Sequence, residues 1–225
     1  MRLTTLTCCL AILFGIQTVA GQISRQQKSI FGLSALAGVN LTQVDGDNFA
    51  GFDKFGLAAG LKGIIELNRH FDLNVELIYS EKGSRFESAQ SIARGTKDRQ
   101  IKLSYAEIPM LLVIKLKAPD ATTSYHLQAG VSVARLLNTR IEEPTIKAPL
   151  EFDFSSIKDE FDSTELNAVL GVHVRPPGNW GFGLRYSGAL TKFYEDPDAA
   201  PIAGNREIVE FLRNFQLSLL MTYRL

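Results

Sequence analysis

The sequence predicts an all-β fold, an eight-stranded antiparallel up-and-down transmembrane β-barrel, on three observations. Apolar residues recur at every second position over most of the chain, the alternating segments number eight, and the connections between them are short and long in strict turn. Period two marks strands with two unlike faces. An even strand count, with every short turn at one end, fits a closed barrel whose termini share that end.

The first 21 residues stand apart. Met1-Arg2 gives a small positive start, Leu3 to Val19 is an apolar run, and Val19-Ala20-Gly21 offers the small residues read by a signal peptidase. Residues 1–21 are therefore expected to be a cleavable signal peptide and residues 22–225 one barrel domain. Both cysteines, Cys8 and Cys9, lie in the signal, so the exported chain uses no disulfide or thiolate chemistry. With 24 basic and 24 acidic residues the chain carries no net charge, which removes the electrostatic case for nucleic acid. Beyond the first twenty residues no run of about 18 uninterrupted apolar residues occurs, so a helical span is excluded.

The segments follow in order. Phe31, Leu33, Ala35, Ala37, Val39 and Leu41 alternate with Gly32, Ser34, Gly38, Asn40 and Thr42, with Leu36 as the large apolar intruder on the second face. Phe55 to Leu67 alternates against Gly56, Gly60, Lys62 and Glu66, and Phe71 to Tyr79 against Asp72, Asn74, Glu76, Ser80 and Lys82. The fourth segment, about residues 100–116, changes phase. Ile101, Leu103 and Tyr105 are expected outward at its start and Ile108, Met110, Leu112 and Ile114 outward at its end, with a bulge near Glu107-Pro109 making the switch. Segments five to eight centre on Tyr125–Val133, Leu166–Val174, Trp180–Tyr186 and Phe215–Leu225. The long connections cover roughly residues 43–54, 83–99, 138–163 and 191–210.

Alternation alone does not say which face is buried, since a soluble barrel would hide its apolar face inside. Loop asymmetry, a second face bearing charges and glycines, and aromatics near segment ends such as Phe31, Phe55, Phe71, Tyr125, Trp180 and Tyr223 favour lipid outside. The expected location is thus the cell outer membrane, with outer-membrane lipid and lipopolysaccharide as its surroundings. Arg135 and Arg213 fall on the lipid-facing parity. At ~3.3 Å per residue and ~40° tilt they sit ~25–30 Å above the short turns, at the outer-leaflet rim, as candidates for lipid contact.

Chemistry is sparse. Lys62, Glu66, Glu76, Lys82, Glu107, Arg185 and Arg224 are expected to point into a lumen that they fill as a structural network of paired charges. His126 and His173 are expected at one height near the short turns, with no third ligand evident, and His70 lies in a short turn. A barrel enzyme acting on lipid would place His beside Ser or carboxylate at the outer rim, and none of the three histidines falls there. No GxSxG, HExxH, P-loop or strand-following GxGxxG pattern occurs. No catalytic residue, metal site or cofactor is expected. A protein partner could use loops 83–99, 138–163 and 191–210. The second of these interleaves Glu142, Glu143, Glu151, Asp153, Asp159, Glu160 and Asp162 with Phe152, Phe154 and Phe161, and so could also meet a divalent ion.

Glu76-Leu77-Ile78-Tyr79-Ser80-Glu81-Lys82-Gly83 and Tyr105-Ala106-Glu107-Ile108-Pro109-Met110-Leu111-Leu112 resemble the third and fourth strands of the Bacteroidetes outer-membrane β-barrel family, PorT-like or "porin family". Leu127-Gln128-Ala129-Gly130 with Leu136-Leu137 resembles its fifth strand and Gly183-Leu184-Arg185-Tyr186 its seventh. The final Leu225 departs from the terminal aromatic common in the family. The resemblance implies an eight-stranded outer-membrane barrel and a non-enzymatic structural or interaction component. Through the PorT branch it also implies, as an alternative, a component of a type IX secretion or transport complex. A lipid-modifying barrel enzyme is the alternative from another class.

Overall fold

The computed structural model describes residues 30–47, 51–86, 99–116, 122–142, 157–196 and 209–225. The expected signal peptide at residues 1–21 lies outside them, as do Glu143, Glu151, Phe152, Asp153 and Phe154 of the acidic loop. Among the described residues nine strands follow one another: β1 (Phe31–Asp45), β2 (Lys54–Glu66), β3 (Phe71–Phe86), β4 (Arg99–Leu116), β5 (Ser124–Glu142), β6 (Thr164–Arg175), β7 (Trp180–Ala189), the two-residue β8 (Tyr194–Glu195) and β9 (Phe211–Arg224). Each of β1 to β7 pairs antiparallel with its sequence neighbour, β7 pairs with β9, and β9 returns to β1 from Ser34↔Arg224 to Asp45↔Arg213. The result is a closed eight-stranded barrel, with β8 as an extra ribbon on the upper part of β9 through Tyr194↔Leu212 and Glu195↔Phe211.

Closure pairs each of the eight wall strands with a neighbour on both sides, and the period of two then sorts side chains between outside and lumen. Outside, Leu57, Leu77, Leu170 and Leu219 are each about 60% exposed, and Val131 and Val133 are exposed beside them. Inside, Asn40, Thr42, Glu76, Lys82, Ser132, Glu165 and Ser218 are buried. This is the inverse of a water-soluble barrel and requires hydrocarbon outside. The short turns are tight for local reasons: the Asn68 side-chain carbonyl accepts from the amides of His70 and Phe71 at 2.8 and 3.0 Å, closing the β2–β3 connection.

The fourth strand corrects the sequence expectation. Ile101, Leu103, Tyr105, Glu107, Pro109, Leu111 and Val113 all lie on one buried, inward face, so there is no change of phase at Glu107-Pro109. The ladder to β3 keeps its register across Pro109, from Val75↔Met110 to Ile78↔Glu107, and omits the two positions between. A proline removes one donor, which leaves a gap in a ladder without inserting a residue. The register shift sits higher and on the partner strand: Ser104 faces Asn138 and Tyr105 faces Leu136, so Leu137 is the extra residue of a bulge on β5.

The strands also run further into the long connections than expected. β3 continues to Phe86, and β5 to Glu142, through Arg85↔Gln100 and Gln100↔Glu142. Above the lipid, pairing continues because unpaired backbone there would otherwise have to be satisfied by water. Segments 83–99, 138–163 and 191–210 are therefore partly strand, and the second also contains a 3-10 turn at Lys158–Glu160.

Candidate functional site in the lumen

From the long-loop end downward, the lumen is filled in layers. The uppermost is apolar. Strand residues Val44, Ile101, Leu103, Tyr105 and Ala134 pack with Ile157, Phe161, Phe193, Tyr194, Val209 and Leu212. The Phe161 and Phe193 rings meet edge to face at 5.1 Å. Backbone bonds hold these segments over the mouth: the Asp162 amide donates to the Phe193 carbonyl at 2.7 Å, and the Phe193 amide to the Leu212 carbonyl at 2.9 Å. Ile101, Leu103 and Tyr105 face inward because this cover supplies apolar partners there. Phe161, which the sequence places in the acidic loop 138–163 as part of a partner surface, belongs instead to the same buried layer.

Beneath it lies a buried ionic triad. The Lys82 ammonium is 2.8 Å from both Glu107 and Glu165. Its side chain is 1% exposed and that of Glu165 is 0%. The Asn214 amide donates to the second Glu165 oxygen and, at 3.2 Å, to the Tyr105 hydroxyl, whose ring centre lies 4.9 Å from the ammonium. One cation between two carboxylates, each with further donors, is a geometry in which burial is tolerable.

Lower still, Arg185 grips Glu76 through both terminal nitrogens, at 2.8 and 3.0 Å, and donates to the Gln128 side-chain oxygen at 3.3 Å. Beside it runs an uncharged chain: Asn40 donates to Ser80 at 3.1 Å, while Gln216 donates to Asn40 at 3.2 Å and to Ser218 at 2.7 Å. Leu36, the apolar intruder, packs inward with Ala58, Ile78 and Leu220.

Nearest the short turns, His126 and His173 are Cα partners with ring centres 5.7 Å apart, and His173 shares a 3.0 Å hydrogen bond with Thr222. Gly181 makes the room: a Cβ there would lie 2.6 Å from the His173 ring.

Of the seven charges expected in the lumen, the structure brings together Glu76 with Arg185 and Lys82 with Glu107. Lys62 is buried opposite Glu76, but both oxygens of that carboxylate belong to Arg185. Glu66 sits at the rim, 3.2 Å from Lys115, which also holds Asp72 at 2.6 Å, and Arg224 is exposed at the mouth. Sequence reasoning missed Glu165, Asn214 and Tyr105. Glu165 lies on the polar parity near the long-loop end of its segment, as Lys82 does, and matching heights along antiparallel strands would have joined them. On the outer face Arg135 is exposed and donates to the Thr164 hydroxyl at 3.0 Å. Arg213 is half-buried, with its guanidinium 5.7 Å from the Phe211 ring centre.

A closed barrel, apolar outside and charged within, defines an outer-membrane β-barrel protein. The family model of the outer membrane protein beta-barrel domain matches residues 21–195, and the chain belongs to that family. Among solved structures it is similar to Ail, the attachment invasion locus protein of Yersinia pestis, at 14% identity over 86% of this chain and 99% of that one, with a TM-score of 0.41. It is also similar to the outer membrane enzyme PagL (12% identity, 84% and 98% covered, TM-score 0.45) and to Neisserial surface protein A (13%, 87% and 97%, 0.43). None of the curated proteins compared with the chain matches it. The protein resides in the outer membrane, where barrels of this plan place their short turns in the periplasm and their long loops outside.

Proposed function

We propose that the protein is a non-enzymatic structural or interaction component of the outer membrane and that its lumen conducts no solute. The filled lumen carries this reading: the Phe161–Phe193 layer, the Lys82 triad and the Arg185–Glu76 pair lie one below another inside an eight-stranded wall. All three histidines of the chain lie on the periplasmic side, two inside the lumen and His70 in the β2–β3 turn, away from outer-leaflet lipid. Reconstitution in planar bilayers tests the reading. The expected result is an absence of discrete conductance steps, and porin-sized steps would overturn it. Modified lipid A that disappears in a deletion strain would instead support a lipid-modifying enzyme.

The likeness of the Glu76–Gly83 and Tyr105–Leu112 segments to the Bacteroidetes family supports a second, finer reading, a PorT-like component of a type IX secretion or transport complex. Co-purification from gently solubilised outer membranes distinguishes the two, since stable secretion partners are expected only under the second.

A further inference from the structure

We propose that the periplasmic mouth of the lumen is a binding cup for a phosphate-type oxyanion. A cavity of about 40 Å³ opens there, lined among others by Lys62, Asn74, His126, His173, Arg175 and Arg224. It has room for roughly three water-sized groups, the scale of the oxygens of one phosphate reaching in from the mouth. The exposed Arg224 and Asn179 form its lower lip, so a solute enters from the periplasm.

Two buried groups in the wall point to a ligand. Lys62 is 4% exposed, and among the described residues no carboxylate lies within ion-pair distance of its ammonium, because Arg185 occupies both oxygens of Glu76. Asn74 is likewise 4% exposed, and its side-chain carbonyl has no hydrogen-bond partner. A buried cation without a partner is costly, and an anion in the cavity would offset that cost. Asn74 supplies an amide for the same anion and an acceptor for its proton.

Charge decides the sign of the ligand. Among the described residues, Lys62, Arg175 and Arg224 line the cavity against one carboxylate, Asp72, which Lys115 already holds at 2.6 Å. Neither arginine has an ion pair among the described residues. That surplus repels the divalent cation which paired histidines would otherwise suggest, and His173 is engaged with Thr222. Guanidinium forks and an ammonium converging on one space suit a multi-oxygen anion, which can accept from several donors at once.

The full barrel in phosphatidylcholine nanodiscs, titrated calorimetrically with inorganic phosphate, tests the cup. Saturable binding is expected, weakened at least tenfold by Lys62→Met and by Arg175→Gln and unchanged by Lys192→Gln at the extracellular end. Heat-modifiable gel migration checks that each variant is folded, and Arg175, at the rim, provides a readout if Lys62→Met does not assemble. A second arm replaces free phosphate by phosphatidylglycerol in the disc. Saturation in the first arm assigns a soluble solute, and a Lys62-dependent thermal shift seen only in the second assigns a lipid headgroup. No response in either arm, a response that both variants leave intact, or saturable zinc binding in place of phosphate binding would overturn the proposal.

Discussion

The two ends of the lumen are built from the same alternating strands and finish as opposites. At the extracellular end an apolar layer covers a triad in which one lysine serves two carboxylates. At the periplasmic end, among the described residues, three cations line an open cavity, and Lys62 has no carboxylate within ion-pair distance because Glu76 across the ladder is held by Arg185. The difference traces to connection length. Residues 157–163, 190–196 and 209–210 lay Ile157, Phe161, Phe193 and Val209 over the barrel axis, whereas the Asn68–His70 turn is consumed in reversing direction. Long loops can cover a lumen and tight turns cannot, so a barrel of this plan is sealed on one side only.

Substitutions can break or sharpen this contrast. The largest effect is expected for Lys82→Met, which leaves Glu107 and Glu165 buried without their cation. Breaking such a group costs about 3–5 kcal/mol, measurable as a lowered urea midpoint of the detergent-held barrel, and adding Glu165→Gln should recover part of it. Phe193→Ala, at a fully buried ring of the cover, should cost about 3 kcal/mol and admit water to the upper lumen, seen as faster amide exchange at Leu103 and Tyr105. Arg185→Met should cost less than Lys82→Met, about 2 kcal/mol, because Lys62 stands across the ladder from Glu76 and can take the released carboxylate. The double variant with Lys62→Met would lose that rescue. The smallest change is Gly181→Ala, where a methyl must displace the His173 ring. About 1 kcal/mol is expected, with a shifted His173 imidazole resonance as the direct readout.

Much of the architecture was legible in the sequence, and particular residues show where legibility stopped. Strand number and the order of short and long connections follow from alternation, while loop asymmetry and the charges of the second face point the set including Leu77, Leu170 and Leu219 outward. His126 and His173 share a height because the antiparallel pairing of β5 with β6 sets the start of one strand opposite the end of the other. The fourth strand misled because Ile101, Leu103 and Tyr105 look lipid-facing by composition, and only the loop residues folded over them show that they face a dry interior. Glu165 was passed over for a related reason: its partner Lys82 is three strands away, and nothing local links them.

By itself the sequence determined that this chain is a barrel of strands with two unlike faces, because the alternation of adjacent side chains across a strand is a local steric fact that needs no knowledge of neighbours, and the loop asymmetry and the charges on the second face turned the apolar set toward lipid. The tertiary structure decided which charges pair, where the lumen is sealed and where it stays open. Those outcomes depend on the height each residue reaches once the sheet closes on itself, and on how far a loop can bend back over the axis. Closure brings Lys82 to Glu165 and Arg185 to Glu76 across the barrel, and the same step leaves Lys62 facing the periplasmic cavity.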